Sequence, residues 1–119
     1  TVSRTPTTTV PTAPSTPTAP ATPLVTVGDW VEIGCYTEAT ASRALTLGTK
    51  VNYSTMDLET CSAFCYTLGA LYFGVEYGGE CYCGNELEAG SIPATDGCVM
   101  PCAGNPAETC GGSDRLNLF

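Results

Sequence analysis

The sequence predicts a small, disulfide-rich α+β domain, one main helix on a short antiparallel sheet, preceded by an extended Thr/Pro-rich linker. Three observations carry that class. Eight cysteines, Cys35, Cys61, Cys65, Cys81, Cys83, Cys98, Cys102 and Cys110, all fall within residues 28–119; about 90 residues make a core small enough to need staples, and an even cysteine count reads as a disulfide framework. One segment has a clear helical period, and the segment after it has the form of a β-hairpin.

Residues 1–27 hold ten threonines and six of the nine prolines, a composition that cannot bury enough apolar area to offset its ordering entropy. It reads as a polyproline-like spacer rising about 3.1 Å per residue. Its hydroxyls beside or near prolines, at Thr7, Thr8, Thr16, Thr18 and Thr22, suit O-glycosylation. Composition changes at Gly28-Asp29-Trp30, where apolar and polar residues alternate through Tyr36 and predict a strand. Residues 37–53 lack periodicity and read as loop, with a short extended piece around Leu45 to Leu47. Asn52-Tyr53-Ser54 is an N-glycosylation acceptor triplet.

The helix follows. Asp57 can cap its first turn, Leu58, Cys61, Cys65 and Leu68 form one stripe, and Gly69 ends it. Leu71 to Tyr77 and Glu80 to Gly84 are β-prone runs joined by Gly78-Gly79, which suits a two-residue type I′ turn. That register pairs Glu76 with Cys81 and Gly74 with Cys83. It puts Glu76, where it would accept backbone N–H groups, and Gly74, which would leave room for a bridge, on the cysteine face; Phe73, Val75, Tyr77, Tyr82 and Glu80 take the other.

Cysteines one helical turn apart match cysteines alternating along a strand, so Cys61–Cys81 and Cys65–Cys83 can rivet the helix to the hairpin. The other four pair most simply as Cys35–Cys98 and Cys102–Cys110, among the 105 connectivities that eight cysteines allow. A metal site is the competing reading of the cysteines, but the chain has no histidine and no Cys-x2-Cys pair. No metal or cofactor is expected.

All 12 acidic residues lie after residue 28, opposed there only by Arg43, Lys50 and Arg115. Such a surface repels phosphate backbones and anionic headgroups, which excludes nucleic acid and membrane surfaces as partners, while an uncharged glycan meets no such barrier. No apolar run approaches the roughly 18 residues that span a bilayer. The chain reads as a piece of a larger secreted protein.

Gly34-Cys35-Tyr36, Met56 through Cys65, Gly74 through Gly84 and Pro101 through Leu116 together resemble the WSC domain over about residues 28–119, with all eight cysteines in place. The family more often has Thr at the Asp57 position, and either residue caps a helix. The resemblance implies an apple/PAN-like fold and a carbohydrate-binding role at the fungal cell wall. With the linker ahead of the domain, the arrangement is similar to a module appended to a secreted carbohydrate-active enzyme or oxidase. By the same analogy the partner is β-1,3-glucan or xylan.

Neutral sugars are held by aromatic rings stacked on their apolar faces and by a few polar side chains. Of the aromatic residues, Phe64, Phe73 and Phe119 read as packing. Trp30, Tyr53, Tyr77 and Tyr82 are the ligand candidates, with Asn105, Asp114 and Arg115 as polar rim. Tyr77 and Tyr82 would form a flat platform away from the disulfides, and Trp30 can equally pack beneath the linker junction. Catalysis is not expected, because a domain of this size rarely builds the deep cleft a carboxylate pair needs and no histidine is present. The alternative is a structural or adhesive module acting through protein contacts or self-association.

Overall fold

The computed structural model describes residues 25–119; the O-glycosylation candidates Thr7, Thr8, Thr16, Thr18 and Thr22 lie outside the described residues. The fold opens on a small hairpin, β1 (Thr26–Val27) and β2 (Trp30–Val31), turned by Gly28 at φ 58°. Next come β3 (Gly34–Thr37) and β4 (Gly48–Val51), then α1 (Leu58–Thr67), β5 (Tyr72–Glu76) and β6 (Glu80–Gly84). Three strands close the chain: β7 (Pro101–Cys102), β8 (Asn105–Thr109) and β9 (Arg115–Leu118). Five strands form one antiparallel sheet in the order β3-β9-β5-β6-β4, with α1 packed on one face.

The single strand expected from Trp30 to Tyr36 is two. The Glu32 amide donates back to Val25 O, continuing the β1–β2 ladder, whereas the Ile33 amide donates to Leu118 O of β9. The chain changes partners between those residues, and no continuous strand can serve both ladders. The extended piece expected around Leu45 forms later, as β4, because Leu45 is buried against Gly74 and Gly84 on the face opposite the helix.

Helix α1 begins and ends as its residues dictate. The Asp57 carboxylate accepts the Thr60 amide at 2.7 Å, and Gly69 takes φ 70°, a left-handed value that costs glycine little. Leu58, Cys61 and Cys65 are buried, but Leu68 leaves the stripe at the C-cap and is 42% exposed.

The β5–β6 register is one residue from the expected one, with Glu76 opposite Glu80, Val75 opposite Cys81 and Phe73 opposite Cys83. The turn has three residues, and its left-handed positions are Tyr77 at φ 53° and Gly78 at φ 80°. Docking explains the difference. The Gly78 amide donates to Cys110 O at 2.9 Å and Gly78 O accepts the Ala103 amide at 2.9 Å, fixing the turn from outside the hairpin. Gly79 packs so closely that an added Cβ would meet Tyr53 Cα at 2.8 Å. A one-residue slip exchanges the two faces of a strand, so Phe73 and Val75, not Glu76 and Gly74, lie beneath the helix with the cysteines. Gly74 therefore makes room for Leu45 and Leu116, not for a disulfide.

Four disulfides close the fold: Cys35–Cys98, Cys61–Cys81, Cys65–Cys83 and Cys102–Cys110, with Cα separations of 5.9, 5.4, 5.3 and 4.8 Å. Two of them are the pairs that helix and strand spacing suggested, and the other two are the simplest pairing of the remaining four cysteines. Two rivet α1 to β6, and in the same helix-side core Phe73 stacks on Phe119 with ring centroids 4.5 Å apart. The far side of the sheet has its own core of Ala44, Leu45, Tyr82, Leu116 and Leu118.

Candidate functional site

The sheet has two ends, and the candidate ligand residues divide between them. Trp30 sits at the Leu71 end of β5, beside the C-terminal half of α1. Its ring meets Phe73 edge-on at 5.0 Å and 74°, so it is held by the core while one face stays half-exposed. Trp30 thus packs against the core while remaining partly exposed. Tyr66 on α1 is 77% exposed. Together with Asp29, Thr67 and Leu71 they line an open groove of about 640 Å³. Thr67 donates its hydroxyl proton to Phe64 O at 2.6 Å, leaving oxygen lone pairs for an incoming donor. Tyr66 is not among the ligand candidates chosen from sequence, yet it lies off the stripe of Leu58, Cys61 and Cys65, on the flank of the helix.

Tyr53 and Tyr77 lie at the other end, at the tip of the β5–β6 hairpin, 58% and 48% exposed. Tyr53 is fixed there because its hydroxyl donates to Glu80 Oε2, and that bond raises the hydroxyl's pKa above its ordinary value. Tyr82 donates to the other oxygen of Glu80 at 2.7 Å. It does not form a platform with Tyr77. Tyr82 is 5% exposed, because the loop before β4 folds over it and lays the Arg43 guanidinium 5.0 Å from its ring centre. Burial, then the bond to Glu80, pushes its hydroxyl further up.

The polar rim residues serve local structure. Asn105 Oδ1 accepts the Ala107 amide at 3.1 Å at the start of β8. Asp114 turns the chain into β9 at φ 55°. Arg115 donates to Asp96 O and Asp114 O at 3.3 and 3.0 Å, with the Asp96 carboxylate 3.9 Å away, and so ties the loop before β7 to β9.

Beneath Arg43 lies a carboxyl pair, buried Glu76 and partly buried Glu38. Glu76 is 2% exposed and is on the face opposite the helix, not among backbone amides as its residue pattern implied. Its Oε1 has no partner. Burial, reinforced by its bond to Glu38 and the charge there, pushes the Glu76 carboxyl up to about 9. Burial also opposes charge on Glu38, but bonds from Glu76, the Ala44 amide and Arg43 outweigh it and hold that carboxyl below its ordinary value. The pair therefore holds one proton at neutral pH.

The sign for stability follows. Between about 4.5 and 9 the folded chain keeps a proton on Glu76 that the unfolded chain has lost, so this contribution is full below about 4.5 and falls as pH rises to 9. Glu38 contributes the other way, its share being lost as pH falls below about 4.5. The melting temperature is expected to decline from pH 5 to 9, and to decline less in Glu76→Gln, which still donates to Glu38 but cannot ionise. Parallel melting curves for the two proteins across that range would refute the assignment.

At the start of α1, Asp57, Glu59 and Glu108 bring their carboxylates within 4.8 Å of one another. Glu108 accepts the Leu58 amide at 3.0 Å as Asp57 accepts that of Thr60, so the helix's unpaired N–H groups account for two of the three. Burial in this cluster raises the Glu108 carboxyl above its ordinary value. No helix among the described residues is long and apolar enough to cross a membrane.

A helix riveted to a five-stranded antiparallel sheet by two parallel disulfides, with open aromatic surfaces, defines a small disulfide-stapled α+β module. The sequence profile of the WSC domain matches residues 32–112, and the chain belongs to the WSC domain family. A WSC domain-containing protein of Arthroderma benhamiae is 44% identical over 98 residues, 76% of this chain and 10% of that protein. A Chaetomium globosum protein is 43% identical over 88 residues, 72% of this chain and 40% of its own length. Kremen protein 2 of Homo sapiens is 37% identical over 90 residues, covering 73% and 19%. The chain thus spans 40% or less of each of these relatives.

Proposed function

We propose that the chain is a non-catalytic module of a secreted protein that holds it to cell-wall polysaccharide, with β-1,3-glucan or xylan as the ligand. The Trp30–Tyr66 groove carries this reading. Two aromatic side chains in its lining, one braced by Phe73 and one on a helix, can take the apolar faces of sugar rings, and Asp29 and Thr67 can take hydroxyls. The groove is open to solvent, which suits a polymer better than an enclosed small molecule. Nothing in it supplies the paired carboxylates of a hydrolase. The Thr/Pro-rich linker would then serve as a glycosylated spacer between module and partner domain.

Retention of the oxidised chain on insoluble glucan, xylan, chitin and cellulose tests the reading. Tyr66→Ala removes an exposed ring with little effect on folding, and is expected to weaken retention about tenfold, about 1.4 kcal/mol, with an unchanged melting temperature. Tyr77→Ala, at the far end of the sheet, is expected to change retention less than twofold. No retention on any polymer, or equal losses in both variants, would overturn the assignment of the groove. A second reading, contact with wall protein or with another copy, rests on the exposure of Leu71 at 69% and Val99 at 79%. A sedimentation coefficient that rises with concentration in the absence of sugar would favour it.

A further inference from the structure

The acceptor triplet at Asn52 is left unused by the groove, and the fold presents it in a form that fits modification. Asn52 directly follows β4, one of the two edge strands of the sheet, and is exposed. Its Oδ1 accepts the Ser54 and Thr55 amides at 2.9 and 3.0 Å, which pins the side-chain amide through its oxygen. Among the described residues its Nδ2 donates no hydrogen bond, so substitution there breaks nothing. The backbone beneath is fixed as well, since the Asn52 amide donates to Gly79 O at 2.8 Å and Asn52 O accepts the Met56 amide at 3.2 Å. Four closed disulfides fit a chain matured in an oxidising secretory compartment, where such acceptors meet their donor.

We infer that Asn52 carries an N-linked glycan, which shields the hairpin-tip end of the sheet and leaves the Trp30–Tyr66 end open. In the transfer step Nδ2 attacks C1 of an oligosaccharide linked to a lipid diphosphate. The C1–N bond forms as the C1–O bond breaks, the lipid diphosphate leaves, and the amide loses one proton. The first sugar then stands beside Tyr53, whose ring is held at the tip by its bond to Glu80, and beside Val51, 50% exposed on the open edge of β4. An unpaired strand edge invites pairing with another chain, and a bulky hydrophilic group at its end blocks that approach. The five residues of β5 put roughly 17 Å between the tip and the groove.

The full chain, secreted from a eukaryotic host, is digested and mapped with and without peptide-N-glycosidase in heavy-oxygen water. The Asn52 peptide is expected to carry hexosamine and to become labelled Asp on enzyme treatment. Asn52→Gln and Ser54→Ala are expected to abolish the modification with all four disulfides closed, and Ser54→Thr to retain it. On removal of the glycan, hydroxyl-radical labelling of Tyr53 is expected to rise at least twofold while that of Tyr66 stays constant. An unmodified Asn52 peptide in chain with closed disulfides would overturn the inference, and unchanged labelling of Tyr53 would overturn the shielding. None of these readouts involves polysaccharide, so they stand or fall independently of the groove.

Discussion

Replacing Cys35 and Cys98 together by alanine is expected to lower stability by about 4 kcal/mol, against about 2.5 kcal/mol for Cys102 and Cys110. The difference comes from the loops. Cys35 and Cys98 are 63 residues apart in sequence and Cys102 and Cys110 only 8, and a cross-link restricts the unfolded chain more as the loop it closes lengthens. Burial argues for the reverse order, because Cys102 and Cys110 are fully buried while Cys35 and Cys98 are half-exposed. A melting temperature lowered by on the order of 20 °C in the first double variant, and by clearly less in the second, would show that chain entropy dominates. The opposite ranking would show that packing around the sulfurs does. The Cys35–Cys98 bridge has a further reason to matter: β3 joins the sheet only through β9, and Cys98 anchors the long loop that otherwise leans on β3 through backbone bonds such as Ala94 to Cys35.

How much of this fold the residues announce depends on how local each signal is. The α1 rivet could be read directly, because a spacing of four on a helix and of two on a strand span similar distances, and Asp57 and Gly69 mark the helix's ends within a single turn. The hairpin register could not. Gly78-Gly79 satisfies the local rule for a two-residue turn, and the choice of three residues is made by Cys110 and Ala103, far along the chain. That single step relocates Glu76 and Gly74 and creates the carboxyl pair. Tyr82 was misplaced for a related reason: its face of the strand was assigned correctly, but a loop with no periodicity supplies the Arg43 that covers it. Tyr66 is the opposite case, a residue that helix geometry places off the buried stripe, while its sharing a groove with Trp30 depends on how the β1–β2 hairpin docks.

Phe73 couples the core to the groove. It is fully buried, stacked on Phe119 and met edge-on by Trp30, so Phe73→Ala opens a cavity at the centre of the helix-side core and is expected to cost about 3–5 kcal/mol. Phe73→Leu keeps much of the volume and is expected to cost about 1.5 kcal/mol or less, but it too removes the ring against which Trp30 is braced. Trp30 is the sole tryptophan, so its fluorescence reports on that brace without interference. Both variants are expected to shift its emission to the red, the alanine variant further. If the groove binds polysaccharide through a held Trp30 ring, the leucine variant should lose retention several-fold at a temperature where it is fully folded, and Tyr66→Ala in that background should then cost less than it does alone. A leucine variant with shifted emission and undiminished retention would mean that Trp30 packs the core and plays no part in the ligand surface.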